Sequence, residues 1–197
     1  MNDLIRRIEE ASMNAWPANH QLLLDGWLIR LSNGFTKRAN CVVPLYHSTG
    51  LESEKGPTSE TPSNSAHLTL DKIRYCENLF AREQLQTVFR LTTHRRSAEL
   101  DDQLALRGYN RVDETQVQLL DLLKDSGALG TAEAQAPGPK MRLVPIPHWL
   151  RIYAKFAEMP DTASELHSSL IRSIRPDCAF ALLEIDDEPV ACALGVL

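Results

Sequence analysis

With 197 residues, 43% of them hydrophobic and 24% charged, the chain suits one large or two small soluble domains with a real apolar core. A formal net charge of -5 speaks against nucleic acid or an anionic membrane as the partner, because phosphate binding needs a concentrated basic surface. The charged stretch Met1 to Glu10 has no apolar segment of a signal peptide and no run approaches a membrane span, so a cytoplasmic protein is expected.

Leu4, Ile5, Ile8, Ala11, Ser12 and Ala15 recur at helical spacing, and Pro17 and Asn19 end that helix. Two apolar, partly alternating runs then flank Ser32-Asn33-Gly34, predicting a β-hairpin with Leu22 to Leu31 as one strand and Phe35 to Val43 as the other. Asp25-Gly26 reads as a bulge or turn at strand entry. On the first strand Trp27, Ile29 and Leu31 share one face, and Leu28 and Arg30 the other. On the second, Thr36, Arg38, Asn40 and Val42 share a face that is polar for half its length. His47 to Ala66 is rich in Ser, Thr, Gly, Pro and Glu and reads as a long loop, either functional or disordered, with the composition favouring disorder.

Leu68 to Leu85 returns to helical spacing through Leu70, Ile73, Cys76 or Glu77, and Phe80, and Gln86 to Thr93 is a β-branched, aromatic strand. Ser97 is the expected N-cap of a short helix carrying Leu100 and Leu104, with Gly108 at its C′ position. Arg111 to Leu123 alternates as a last strand of the first unit, 1–123. Gly, Ala and Pro then dominate from Ser126 to Pro139, with Pro145 and Pro147 following, and 124–147 reads as an interdomain linker. In the final unit, 148–197, two helices (His148 to Glu158, and Asp161 to Arg175 with Asp161 as N-cap) precede a hairpin of Cys178 to Ile185 and Pro189 to Leu197 turned at Asp186-Asp187-Glu188. That hairpin leaves an open sheet edge near Val190 to Leu197.

The four cysteines, Cys41, Cys76, Cys178 and Cys192, form no Cys-x-x-Cys pair and have no histidine at zinc-ligand spacing, so neither a metal centre nor a disulfide framework is expected. Cys41, Cys178 and Cys192 sit among apolar residues, as small buried thiols do. The basic pairs Lys37-Arg38 and Arg95-Arg96, the latter beside His94, are anion contacts or, by default, solvated surface.

Ala15-Trp16-Pro17, Asp25-Gly26-Trp27-Leu28-Ile29-Arg30, Asn33-Gly34-Phe35-Thr36, Lys37-Arg38-Ala39-Asn40-Cys41-Val42 and Phe89-Arg90-Leu91-Thr92 together resemble the N-terminal half of two-lobed GNAT-type N-acetyltransferases. From Trp149 onward, the two helices and the hairpin bearing Glu188-Pro189-Val190-Ala191-Cys192 resemble the opening of a second, catalytic GNAT lobe. The resemblance implies an α+β fold, a mixed and mostly antiparallel sheet flanked by helices of the acyl-CoA N-acyltransferase kind. It also implies acetyl-CoA as cofactor, its pyrophosphate on backbone N–H groups of an Arg/Gln-x-x-Gly-x-Gly/Ala loop at a helix N-terminus. The acetyl group then passes by direct attack to the amine of a small molecule or peptide. No stretch of this chain matches that loop. The expectation is therefore a degenerate first lobe, a second lobe that stops short, and little acetyl-CoA binding by this chain alone.

Arg38 and Asn40 are the best substrate-side candidates, against the competing reading of a solvated strand face. Trp27 could stack a substrate or fill the core. Glu184, on the first strand of the second hairpin, is a weak candidate for a general base. The alternative to an enzyme is a non-catalytic assembly module, a homodimer or a pairing with a partner chain through the open C-terminal strand edge.

Overall fold

A computed structural model describes residues 2–45, 62–92, 95–120 and 138–197. Within them the chain is α+β, with five α-helices and two three-stranded antiparallel sheets. In the first half, helix α1 (Asn2–Ala15) leads into β1 (His20–Leu24), β2 (Trp27–Leu31) and, after a 3-10 turn at Lys37–Ala39, β3 (Cys41–Pro44); α2 (Pro62–Arg82) and α3 (Arg95–Leu106) follow. In the second, β4 (Lys140–Leu143) precedes α4 (Ile146–Phe156), α5 (Asp161–Ser173), β5 (Cys178–Ile185) and β6 (Glu188–Val196).

The first sheet is ordered β1-β2-β3, with β2 buried along its whole length. Its alternation separates two apolar faces. Trp27, Ile29, Leu31 and Val42 pack against Ile73, Cys76 and Phe80 of α2 and Leu100 and Leu104 of α3. Leu28, Cys41 and Val43 pack on the other side against Met13 of α1. The helical stripes read from the sequence thus meet the sheet as their spacing requires. Helix α3 closes with Gly108 at φ 88°, where Gly108 N donates to Ala105 O at 3.0 Å and Tyr109 N to Leu104 O at 3.1 Å. These two bonds satisfy carbonyls the helix would otherwise leave open. Tyr109 then donates to Glu77 Oε1 at 3.1 Å, and its pKa is pushed up to about 12 by burial and by the Glu77 charge.

Several sequence expectations need correction. The hairpin turn is Asp25-Gly26 (φ 42° and 79°), which pairs Leu24 with Trp27 and His20 with Leu31. Asn33-Gly34 also takes positive φ (50° and 74°) and closes a turn, Phe35 N donating to Ser32 O at 2.9 Å. It does not start a strand, because Thr36 turns to φ 59° and Lys37–Ala39 coils; pairing with β2 resumes only at Cys41, opposite Arg30. Arg38 and Asn40 are therefore not on a strand face. Of the expected strand from Gln86 to Thr93, the described part, 86–92, touches β3 through one parallel bridge, Val42 to Phe89, with Val42 N donating to Val88 O at 2.8 Å and Arg90 N to Val42 O at 2.9 Å.

Arg111 to Leu120 is irregular and exposed, and 121–123 lie outside the described residues. The alternation of Thr115, Val117 and Leu119 marks a strand-competent segment, but a strand exists only where a neighbour takes its backbone groups. The stretch read as a linker contains β4. The long loop and its border are also redrawn: α2 begins at Pro62, and 46–61, like 124–137 of the linker, lie outside the described residues, as does His94. Two smaller shifts concern helix starts: α3 begins at Arg95, ahead of Ser97, and Pro160 caps α5 with Asp161 in its first turn.

The second sheet is ordered β4-β5-β6, its hairpin turned by Asp186 and Asp187 at φ 51° and 61°. One face, with Phe180 and Leu182, is covered by Trp149 and Ile152 of α4 and Leu170 and Ile171 of α5. The opposite face is built from Met141, Leu183 and Ala191 in one rung, Leu143, Ala181 and Ala193 in the next, and Ala179 with Gly195. These positions carry no polar side chain, and Met141 and Leu143 are 76% and 67% exposed. Strand β6 pairs with β5 on one side only among the described residues, and the indole of Trp149 donates to its Ala193 carbonyl at 3.0 Å. None of the described helices is long and apolar enough to cross a membrane.

Candidate functional site

The two halves meet where residues 31–40 leave the first sheet. Asn40 makes this loop rigid. Its Oδ1 accepts from Ser32 N at 2.6 Å and Gly34 N at 3.2 Å, and its Nδ2 donates to the carbonyls of Phe35 and Thr36, both at 2.9 Å. A buried carboxamide with two acceptor and two donor directions in use is a complete internal scaffold for a loop. Thr36 sits at φ 59°, an unfavourable region for a β-branched residue, and its Oγ1 accepts from Trp16 Nε1 at 3.0 Å.

The loop delivers Phe35 and Ala39 into the second half's core, where Trp16 and Ala18 join them beside Trp149, Ile152, Leu170 and Phe180. His167 is at the seam, 2% exposed, with ring centroids of Tyr153, Phe35, Trp16 and Trp149 at 4.5, 5.7, 5.9 and 6.1 Å. Trp149 in turn stacks on Tyr153 and meets Phe180 edge-on.

Beneath α1 lies a second polar feature. Arg30 is completely buried, and its guanidinium donates to the carbonyls of Arg38 at 3.0 Å, Met13 at 3.4 Å and Trp16. Helix α1 has no basic residue in its last turn, so Arg30 supplies from the sheet the cation that a helix C-terminus favours. Burial holds the Arg30 pKa below its ordinary value and pushes the neighbouring Cys41 thiol up. Arg90 adds an ion pair to Glu9 at 2.9 Å and donates to Ser12 Oγ at 2.9 Å.

The sequence-predicted site residues do not converge. Arg38 is exposed at the rim of the junction, its guanidinium 5.9 Å from the Trp16 ring centroid. Asn40, two residues on, points inward and is fully engaged by the loop. Trp27 is 4% exposed in the first core, edge-on to Phe89 and with the Lys72 ammonium 4.7 Å from its ring centroid. Glu184 is held by Arg142 of β4, at 2.5 Å and 3.3 Å to its two carboxylate oxygens. Sequence reading passed over Arg30 and His167. Both were findable: Arg30 alternates with Leu28 onto an apolar face, and His167 stands three and four residues before Leu170 and Ile171, on the same buried stripe.

All four cysteines are free thiols, and no group of three or more His, Cys, Asp or Glu among the described residues is arranged to hold a metal ion. A groove of about 300 Å³ runs between β1 and the end of α2, lined by Leu22, Leu31, Leu79 and Leu85 with His20 and Glu83 at its polar positions. A pyrophosphate does not fit the helix starts of α1, α4 and α5. Asp3 and Asp161 place a carboxylate in the first turns of α1 and α5, and α4 opens with a proline, which lacks an N–H.

Comparison with known proteins adds a direction. Residues 3–60, which run through α1 and β1 to β3, match the family described as "Probable histone acetyltransferase Rv0428c C-terminal". The likeness is to an acetyltransferase. A curated relative, the probable histone acetyltransferase Rv0428c of Mycobacterium tuberculosis (strain ATCC 25618 / H37Rv), is 46% identical over 41 residues, which cover 21% of this chain and 14% of that protein. The chain thus matches a small part of its relative's length. No solved structure matches it.

Proposed function

We propose that this chain belongs to an acetyl-CoA-dependent N-acetyltransferase of the GNAT type, which passes acetyl to the amine of a small molecule or peptide. The observation that carries this reading is the family match over 3–60, the segment that builds α1, the first sheet and the rigid loop. The GNAT assignment rests on the motif resemblance from Ala15 to Thr92. Arg38, exposed beside Trp16 at the rim of the junction, is the proposed substrate-side residue; Asn40 serves it by fixing the loop. No step is assigned to Glu184, which is occupied by Arg142.

The chain has no Gly-x-Gly step and no helix start among α1, α4 and α5 suited to a pyrophosphate. Calorimetric titration of these 197 residues with acetyl-CoA is accordingly expected to give binding weaker than about 1 μM. Micromolar or tighter binding would show a cradle here that neither the motif nor the helix starts describe. The acetyltransferase reading itself is tested on the protein purified from its native host. Amine-dependent release of CoA, lost when Arg38 is replaced by Ala, is the expected result; no release with any amine of a broad panel sinks it.

A second reading is favoured by one observation, the side of β6 that is unpaired among the described residues. A nine-residue strand with a free edge can add a strand from another copy or another protein. The Trp149 indole engages the Ala193 carbonyl and blunts that edge in its second half, which leaves the Glu188 to Ala191 end for pairing. On this reading the light-scattering mass rises with concentration and V190K abolishes the rise. A constant monomer mass ends it.

A further inference from the structure

His167 lies in the seam between the halves, and its Nε2, buried from solvent, has no hydrogen-bond partner. Two of the rings around it, Tyr153 and Trp149, belong to α4; the other two, Phe35 and Trp16, come from the first half. A neutral imidazole suits such a place, since its second nitrogen can be left as a lone pair against apolar neighbours. An imidazolium carries an N–H on both nitrogens and a charge, and the buried Nε2 then has a donor with nothing to accept it.

Among the described residues the surroundings supply no anion. From the first half the charged group at the cluster is Arg38, a cation over Trp16. From α4 the ring facing it with a titratable group is the phenol of Tyr153. From β5 and β6 come the thiols of Cys178 and Cys192, both pushed up by burial and so neutral. On α5 itself Glu165 and Arg172 line the open outer groove with Asp161. The faces of the rings attract a cation and offset part of the cost, yet burial alone holds the histidine below 6.5.

We propose that His167 is a proton-operated latch between the two halves: neutral, it completes the aromatic seam; protonated, it releases α5 and α4 from Trp16 and Phe35. The sign follows from linkage. A histidine whose folded-state pKa lies below its unfolded value binds more protons when the seam is open. The closed seam is therefore fully stable above 6.5, weakens as pH falls from there to the folded-state value, and loses nothing more below that. One proton changes the closed-to-open ratio by up to about tenfold per pH unit inside this window. The latch is independent of any acetyl transfer.

Two of the chain's three tryptophans, Trp16 and Trp149, sit in the seam, while Trp27 is in the other core and serves as an internal control. Acrylamide quenching of tryptophan fluorescence is expected to rise in the wild type as pH falls below 6.5 and to stay constant in H167Q. Equal pH responses in the two proteins overturn the latch. Should H167Q fail to fold, NMR titration of the wild-type His167 ring decides: a midpoint below 6.5 supports the latch, and one at or above 6.5 overturns it.

Discussion

Replacing Arg30 with alanine is expected to lower folding stability by about 3–5 kcal/mol, read as a drop in the urea midpoint at unchanged slope. Arg30 is fully buried and its guanidinium serves three backbone carbonyls, two of them at the end of α1. Each carbonyl left without a partner in the interior costs on the order of 1–3 kcal/mol, partly recovered because a buried cation is no longer held out of water. Arg30→Met separates the two effects. It keeps the apolar stem and removes the donors, so it should recover only the packing part. Arg30→Lys keeps a charge but replaces a planar fork by one ammonium, which cannot face all three carbonyls, and about half the loss is expected to remain. An Arg30→Met protein as stable as the wild type would mean that α1 is held by Met13 and its apolar contacts alone.

Asn40→Ala is expected to cost about 2–4 kcal/mol, with a second consequence that Arg30 variants lack. It removes the partner of two N–H groups and two carbonyls inside a loop that carries Phe35 and Ala39 into the second half's core. The seam should loosen along with the fold, so Trp16 and Trp149 should become accessible to quencher before Trp27 does. Asn40→Asp is nearly the same shape and should be no better at neutral pH. It turns a carboxylate oxygen toward the Phe35 and Thr36 carbonyls, where Nδ2 had donated. That repulsion raises the carboxyl pKa above its unfolded value, so stability should recover in part as pH falls toward about 4, when one donor is restored, and should gain nothing further below it. Hydrogen exchange at Ser32 and Gly34 measures the loop directly, and unchanged protection in Asn40→Ala would remove the scaffold role.

Periodicity read the helices well because each has one neighbour to satisfy. Ile73, Cys76 and Phe80 recur at three- and four-residue steps, and all three are fully buried. Leu100, Leu104 and Gly108 likewise marked α3 and its end. Strands were harder, since alternation names a face and not a partner. Thr115, Val117 and Leu119 alternate as Trp27, Ile29 and Leu31 do, yet only the latter lie on a strand, β2, with strands on both sides. Turn chemistry misled in a related way: Asp25-Gly26 and Asn33-Gly34 both take positive φ, and either could close a hairpin. What separates them is Thr36 at φ 59°, a conformation its residue type disfavours and that only the finished loop enforces. The junction was least legible. His167 meets Trp16 and Phe35 across more than 130 residues of chain, a contact for which no local pattern exists.

The apolar outer side of the second sheet, uncovered among the described residues, bears on how this protein responds to bulk solvent. Met141, Leu143, Ala179, Ala181, Leu183, Ala191, Ala193 and Gly195 offer water no hydrogen-bonding side chain, so the hydration layer there is held only by its own cohesion. Each square ångström of it withdrawn from water is worth about 25 cal/mol, whatever withdraws it. Such a surface responds to the solvent rather than to charge. Warming and sulfate strengthen its tendency to be covered, urea weakens it, and the ionic strength that screens Lys37 or Arg38 leaves it untouched.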